Sequence, residues 1–281
     1  MLSELLTGVE TVEYGYMAGT SVGALNVAKL AHSPKGCLRY EVEKLNKLWL
    51  DIAGNKDVWK HWFFFGRSAG AWKNSFYNSK PLRKLLEKHI HPDVVRAASK
   101  EAGRQLRFGV VGVGSGEYVE VTEDEEDIVT WVLASSAFPG FLLPQKARDD
   151  LWIDGGARRI TPLKGAIEAG CTDIDVIITS PRRSKPKSLE DNWLGTKISG
   201  VTIALRTIEL MMDELYVRDI KICEVYNQVA ESHPAMGKKR INLRVFEPPE
   251  PLDDTATDSL EFDPEHIRHM IEVGRKVGKG A

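Results

Sequence analysis

The 281 residues are 42% hydrophobic and 28% charged, which suits a globular chain with a full apolar core. A formal net charge of −2 leaves no cationic surplus for general nucleic-acid binding. Cys37, Cys171 and Cys223 are scattered, fitting neither a disulfide framework nor a metal-ligand spacing.

No apolar run approaches the roughly 20 residues of a membrane span, and "MLSELLTGVETVEYGY" lacks the basic and apolar regions of a signal peptide. A cytoplasmic protein is expected, with no metal and no cofactor. "LSELLTG" reads as the end of an apolar-faced helix stopped by Gly8. "YGYMAG" follows as a strand, then "VGALNVAKLAHS" as a helix of good helix formers. Helical patterns come next at 40–53, 81–89 and 92–103.

"QLRFGVVGVGSGEYVEVT" divides into strands at 105–113 and 117–121, joined through a Gly-Ser-Gly turn. Thr122 and Glu125 form the T-x-x-E of a capping box before "DIVTWVLASSA", and the acidic run at 123–127 reads as that helix's negative first turn. Pro139-Gly140 stops the helix. "LWIDGG" is a strand, "PLKGAIEAG" a helix with Pro at its first position, and "DIDVIITS" a buried strand. A long helix over 196–230, the strand "RINLRVF" and a last helix from Pro264 complete the series. Strands alternating with helices predict an α/β fold with a mostly parallel central sheet, in a single domain spanning 1–281.

Two segments match G-x-S-x-G: Gly19-Thr20-Ser21-Val22-Gly23, and Gly66 to Gly70 around Ser68. Ser21 sits at a strand-to-helix junction, where a sharp turn lifts its hydroxyl and the following helix offers backbone N–H groups. Glycine at both flanks is expected to avoid collisions in so tight a bend. The alternative is a purely structural turn or a phosphate-cradling loop, although a Walker-type loop would need G-K-[ST]. Ser68 lies among aromatic and polar residues that suggest a loop or lid.

Candidate bases for Ser21 are histidines and Asp154. His233, His266 or His269 could complete a Ser-Asp-His order, but none sits in a strand-end loop of small residues. Asp154 ends an apolar strand and precedes Gly155 and Gly156, which permit close approach of another segment. An aspartate in a partly dry cleft can take a serine's proton, or it can simply cap the next turn.

Three blocks in order, "GTSVGAL" at 19–25, "ASSAFPGF" at 134–141 and "DGG" at 154–156, resemble the patatin-like phospholipase family of lipid acyl hydrolases. The ending "LEFDPEHIRHMIEVG" resembles the close of its bacterial members. The resemblance implies a three-layer α/β/α sandwich and a Ser–Asp dyad, with Ser21 as nucleophile and Asp154 as general base. It also implies an elbow of Gly19, Val22 and Gly23, with the Val22 amide facing the oxyanion, and acyl esters of phospholipids or related lipids as substrates. The family pattern opens with a strand and a loop of roughly G-G-G-x-R-G. Neither has a counterpart here, so the chain is expected to be shortened at its start relative to the family, and a weakly active or purely binding member is the alternative. "GVGSG" at 112–116 is a candidate substitute loop, or a hairpin turn.

The aromatic stretch at 59–78 suits transient contact with a membrane surface or, equally, a cap packed on the core. Arg182, Arg183, Lys185 and Lys187 could attract anionic headgroups or form a solvated loop. Ser135 and Ser136 are expected to shape the cleft without reacting.

Overall fold

A computed structural model describes residues 1–7, 12–62, 75–181, 200–252 and 261–280. The second G-x-S-x-G around Ser68 and the basic residues at 182–187 lie outside these, as does Gly8. The described chain runs α1 (Leu2–Leu5), β1 (Tyr16–Thr20), α2 (Val22–Leu30), α3 (Leu38–Leu50), β2 (Lys60–His61), β3 (Tyr77–Asn78), α4 (Lys80–His89) and α5 (Pro92–Ala102). It continues with β4 (Gln105–Gly112), β5 (Tyr118–Val121), α6 (Ile128–Ser135), β6 (Gln145–Ala147), β7 (Asp150–Asp154) and α7 (Leu163–Glu168). The last elements are β8 (Asp173–Ile177), α8 (Gly200–Ser232), β9 (Asn242–Phe246) and α9 (Pro264–Lys279).

The expected α/β layering forms, with strand directions that are mixed instead of mostly parallel. β1 runs parallel to β4, whereas β5 and β7 are antiparallel to β4 and β6 is antiparallel to β7. β8 and β9 make a separate parallel pair, tied to the lead into β1 by the Tyr14 hydroxyl, which donates to Asp175 Oδ2 at 2.7 Å. Two of these three antiparallel pairs, β4–β5 and β6–β7, are hairpins. Residues 113–117 join β4 to β5, and Arg148 and Asp149, with φ of 45° and 60°, make the two-residue turn between β6 and β7.

β4 is the ruler of the sheet. Gly109 pairs with Thr20 and Glu120, and Val110 with Asp154 and Val119. A strand has only two edges, and β5 overlaps both β1 and β7 along β4. β1 and β7 therefore share the opposite edge, end to end. The amides of Gln105 and Val113, an even number of residues apart, confirm it by donating to Gly15 O and Leu151 O. The C-terminal ends of β1 and β7 thus converge on the Gly109–Val110 peptide.

Alternation along the strands feeds two cores. Met17, Phe108 and Val110 pack with Ala24 and Ala28 of α2 and with Val132 of α6, and full burial of a large side chain such as Phe108 contributes on the order of 2–3 kcal/mol. Tyr16, on the other face of β1, packs towards Leu163 of α7, Ile174 and Val176 of β8, and Ile220 and Cys223 of α8.

Two helix starts differ from expectation. α6 is capped by Asp127, whose carboxylate accepts from the Thr130 amide at 3.0 Å, while Thr122 and Glu125 only close a preceding turn. The acidic run is consequently not the helix's first turn: Glu123 accepts from the Leu106 amide and Glu125 from Trp131 Nε1. Pro162 stands at the N-cap of α7, one residue before its first position.

Candidate active site

Ser21 leaves β1 with φ 57° and ψ −128°, a left-handed conformation that costs a side-chain-bearing residue on the order of 1–3 kcal/mol. The surroundings hold it there. Its amide donates to Ser135 Oγ at 3.1 Å, and Ser135 Oγ in turn donates to Gly109 O at 2.7 Å. Ser136 Oγ lies 3.2 Å from Ser21 O, so the C-terminal end of α6 braces the peptide units on both sides of Ser21.

The two flanking glycines play unequal parts. A Cβ at Gly19 would collide with the carbonyl of Gly23 and the Ala24 amide, because the chain folds back over itself there. A Cβ at Gly23 would meet nothing within 4 Å, so steric need does not explain that glycine. Val22 opens α2 with a 39% exposed side chain, and its amide, first in the helix, has no intrahelical acceptor. Ser21 is the N-cap of α2 and so sits at the positive end of that helix.

Asp154 ends β7 and is 1% exposed. Its Oδ1 accepts from the Gly156 amide at 2.8 Å, and its own amide donates to Ala137 O at 3.1 Å. Gly155 is required here, since a Cβ would overlap the Gly109 carbonyl. Burial raises the Asp154 pKa to about 6, against the opposing pull of the Ser21 hydroxyl and the Gly156 N–H. Oδ2 makes no hydrogen bond of good geometry, yet the Ser21 hydroxyl is near enough to act on the carboxylate. Both follow from a hydroxyl that is close to the carboxylate but poorly aligned with it. The structure therefore brings Ser21 and Asp154 to one point, and among the described residues no histidine acts on Asp154.

The remaining expectations resolve separately. "GVGSG" is the hairpin turn: the Gly114 and Ser115 amides donate to the Asp150 carboxylate at 2.9 and 3.1 Å, so they are already engaged. Of the two arginines that follow the D-G-G turn, Arg159 lies over the Tyr118 ring at 4.9 Å from its centre and Arg158 is exposed. Sequence reasoning did not single out Thr20 and Tyr118. Their hydroxyl oxygens lie buried without a well-formed partner, across the gap that Gly109 leaves, with Tyr118 OH 2.6 Å and Thr20 Oγ1 2.7 Å from where its Cβ would be. A glycine in an otherwise apolar strand was the available signal.

An α/β sandwich with a strained serine at a strand-to-helix turn and a buried aspartate against it is the architecture of a hydrolase-type elbow. The family described as patatin-like phospholipase matches residues 10–167, more than half of the chain, and this protein belongs to it. That family acts on lipid acyl groups as a hydrolase. No curated protein matches the chain. No helix among the described residues is long and apolar enough to cross a membrane.

Proposed function

We propose that the protein hydrolyses acyl esters of phospholipids or related lipids through a Ser21–Asp154 dyad and an acyl-enzyme. The observation that carries this reading is the Ser21 hydroxyl acting on a buried carboxylate whose pKa stands at about 6. Near neutral pH such a group is still ionised, by roughly ten to one, and is a stronger base than an exposed aspartate.

In the first half-reaction Ser21 Oγ attacks the ester carbonyl carbon while its proton passes to Asp154. The carbonyl electron pair moves onto oxygen, which faces the Val22 amide and the positive end of α2. Collapse of this intermediate breaks the ester C–O bond, and the departing alcohol takes the proton from Asp154. Water then gives a proton to Asp154 as it attacks the acyl carbon, and Ser21 Oγ leaves and recovers that proton as the fatty acid departs.

One observation favours a second reading, a binding protein of the same fold with little turnover. Ser21's own amide is taken by Ser135, and the Gly114 and Ser115 amides of the candidate substitute loop are taken by Asp150, which leaves the start of α2 at Val22 to supply the oxyanion donor among the described residues. Losing one donor typically costs about 10²–10³ in kcat. Turnover of a short-chain nitrophenyl ester, with fluorophosphonate labelling of Ser21 alongside, separates the two readings. Undiminished turnover in both Ser21→Ala and Asp154→Asn would end the proposal, and labelling without turnover would favour the binding protein. A histidine-dependent esterase predicts instead that one histidine replacement abolishes activity in a folded chain.

A further inference from the structure

A second polar site lies at the far end of α2, about 13 Å of helix away from Ser21. There a cavity of about 500 Å³ opens between the ends of α2 and α4 and the starts of α3 and α5. Three lysines line it, Lys29, Lys44 and Lys88, against one carboxylate, Glu41. Three ammonium groups less one carboxylate leave a formal charge of +2 in the lining.

The charges are arranged, not merely crowded. Glu41 is 2% exposed and fixes two of the cations, pairing with Lys29 through one oxygen and with Lys44 at 3.2 Å through the other. Each ammonium has three donors, so both keep capacity for a ligand. Lys88 has no anionic partner among the described residues. The rear wall is neutral: His32 Nε2 accepts the His91 amide at 3.0 Å, which requires its proton on Nδ1, 3.1 Å from Ala28 O. Burial first, then Lys88, Lys29 and His91, lowers the His89 pKa, against the weaker opposing pull of Asp51.

The rim is apolar. Tyr40 is 61% exposed with the Lys44 ammonium 4.3 Å over its ring, and Val94 is 46% exposed. A doubly positive floor matches a dianion, and lysines serve as point-charge partners for phosphate. The cavity is larger than inorganic phosphate, leaving room for an organic group against Tyr40 and Val94.

We propose that this cavity binds a phosphate monoester, its oxygens held by Lys29, Lys44 and Lys88 and its organic part by Tyr40 and Val94. The monoester is either a free metabolite-sized molecule or a lipid headgroup. Occupancy is independent of whether Ser21 is a nucleophile.

Cys37 is exposed in the lining and reports on it. Its alkylation rate is read by peptide mass in the full chain, with glycerol 3-phosphate in one arm. In the other, phosphatidylcholine vesicles with or without phosphatidic acid are added to Ser21→Ala protein, so that no lipid is consumed. Protection by glycerol 3-phosphate that weakens about tenfold in Lys88→Ala and in Lys44→Ala supports a soluble ligand. Protection only by phosphatidic acid vesicles, with the same losses, supports a headgroup. The exposed Lys146→Ala serves as a charge control, and thermal melts establish that each variant is folded. No protection in either arm, or protection equal in Lys88→Ala, Lys44→Ala and Lys146→Ala, overturns the site.

Discussion

Thr20 and Asp154 pair with consecutive residues, Gly109 and Val110, on one edge of β4. Two strands of opposite direction therefore end facing each other, and each chain turns out of the sheet at the same level. Ser21 and Asp154 meet there because one rigid strand sets both positions. A loop is not needed to carry either of them to the other.

Replacing either member of that pair is expected to lower ester turnover by at least about 10³-fold with the fold retained. Ser135→Ala should cost less, about tenfold, because it loosens the elbow without removing a reacting group. Steady-state kinetics on folded variants check all three, and a fully active Asp154→Asn is the damaging result.

Asp154 also predicts an acid limb. With its pKa raised to about 6 by burial, kcat/KM should fall about tenfold per pH unit below that value as the carboxylate takes a proton. Replacement of His233, His266 or His269 should leave the limb in place, which a pH–rate profile measures directly.

The same shift has a stability sign. The folded pKa lies above the ordinary 3.8, so the native state holds the proton more tightly and this group favours folding below about pH 4. That contribution is lost as pH rises through about 6. At pH 7 Asp154→Asn should therefore stabilise the protein, by up to about 3 kcal/mol, and the gain should shrink towards pH 4. Melting curves at the two pH values test it, and equal shifts at both would contradict the assignment.

The elbow glycines should respond oppositely. Gly19→Ala forces the turn apart and is expected to cost about 2–4 kcal/mol or prevent folding. Gly23→Ala meets open space within α2 and should be neutral or stabilise by about 0.5–1 kcal/mol. Denaturant melts of the two variants decide the matter, since a shared elbow requirement would make both losses large.

For α6, Asp127→Ala should cost about 1 kcal/mol and Thr122→Ala much less, read by the same melts. A reversed order would restore the capping box to Thr122.

Most of the elements and both candidate site residues were legible because their signals are local. The apolar run before Asp154, the G-x-S-x-G at a strand-to-helix junction and the Pro-led starts of α4, α5 and α9 need no distant information. Strand direction was not legible. The β6–β7 turn is built by Arg148 and Asp149 at positive φ, where the expected signal is Asn-Gly or Gly, and β6 itself is three residues with no apolar alternation. Capping failed in the same way: the acidic run offers several carboxylates, and only packing of α6 selects Asp127. The inequality of Gly19 and Gly23 depends on how the chain crosses itself, which spacing alone does not encode.

The head-to-head ending of β1 and β7 makes the pair sensitive to counting. Side chains in a strand alternate faces, so deleting one residue from β7 would send the carboxylate to the Tyr118 side of the sheet while leaving the ladder intact. Length changes in the connecting segments carry no such penalty. Insertions there can reshape what the cleft admits, while the arithmetic of two short strands stays untouched.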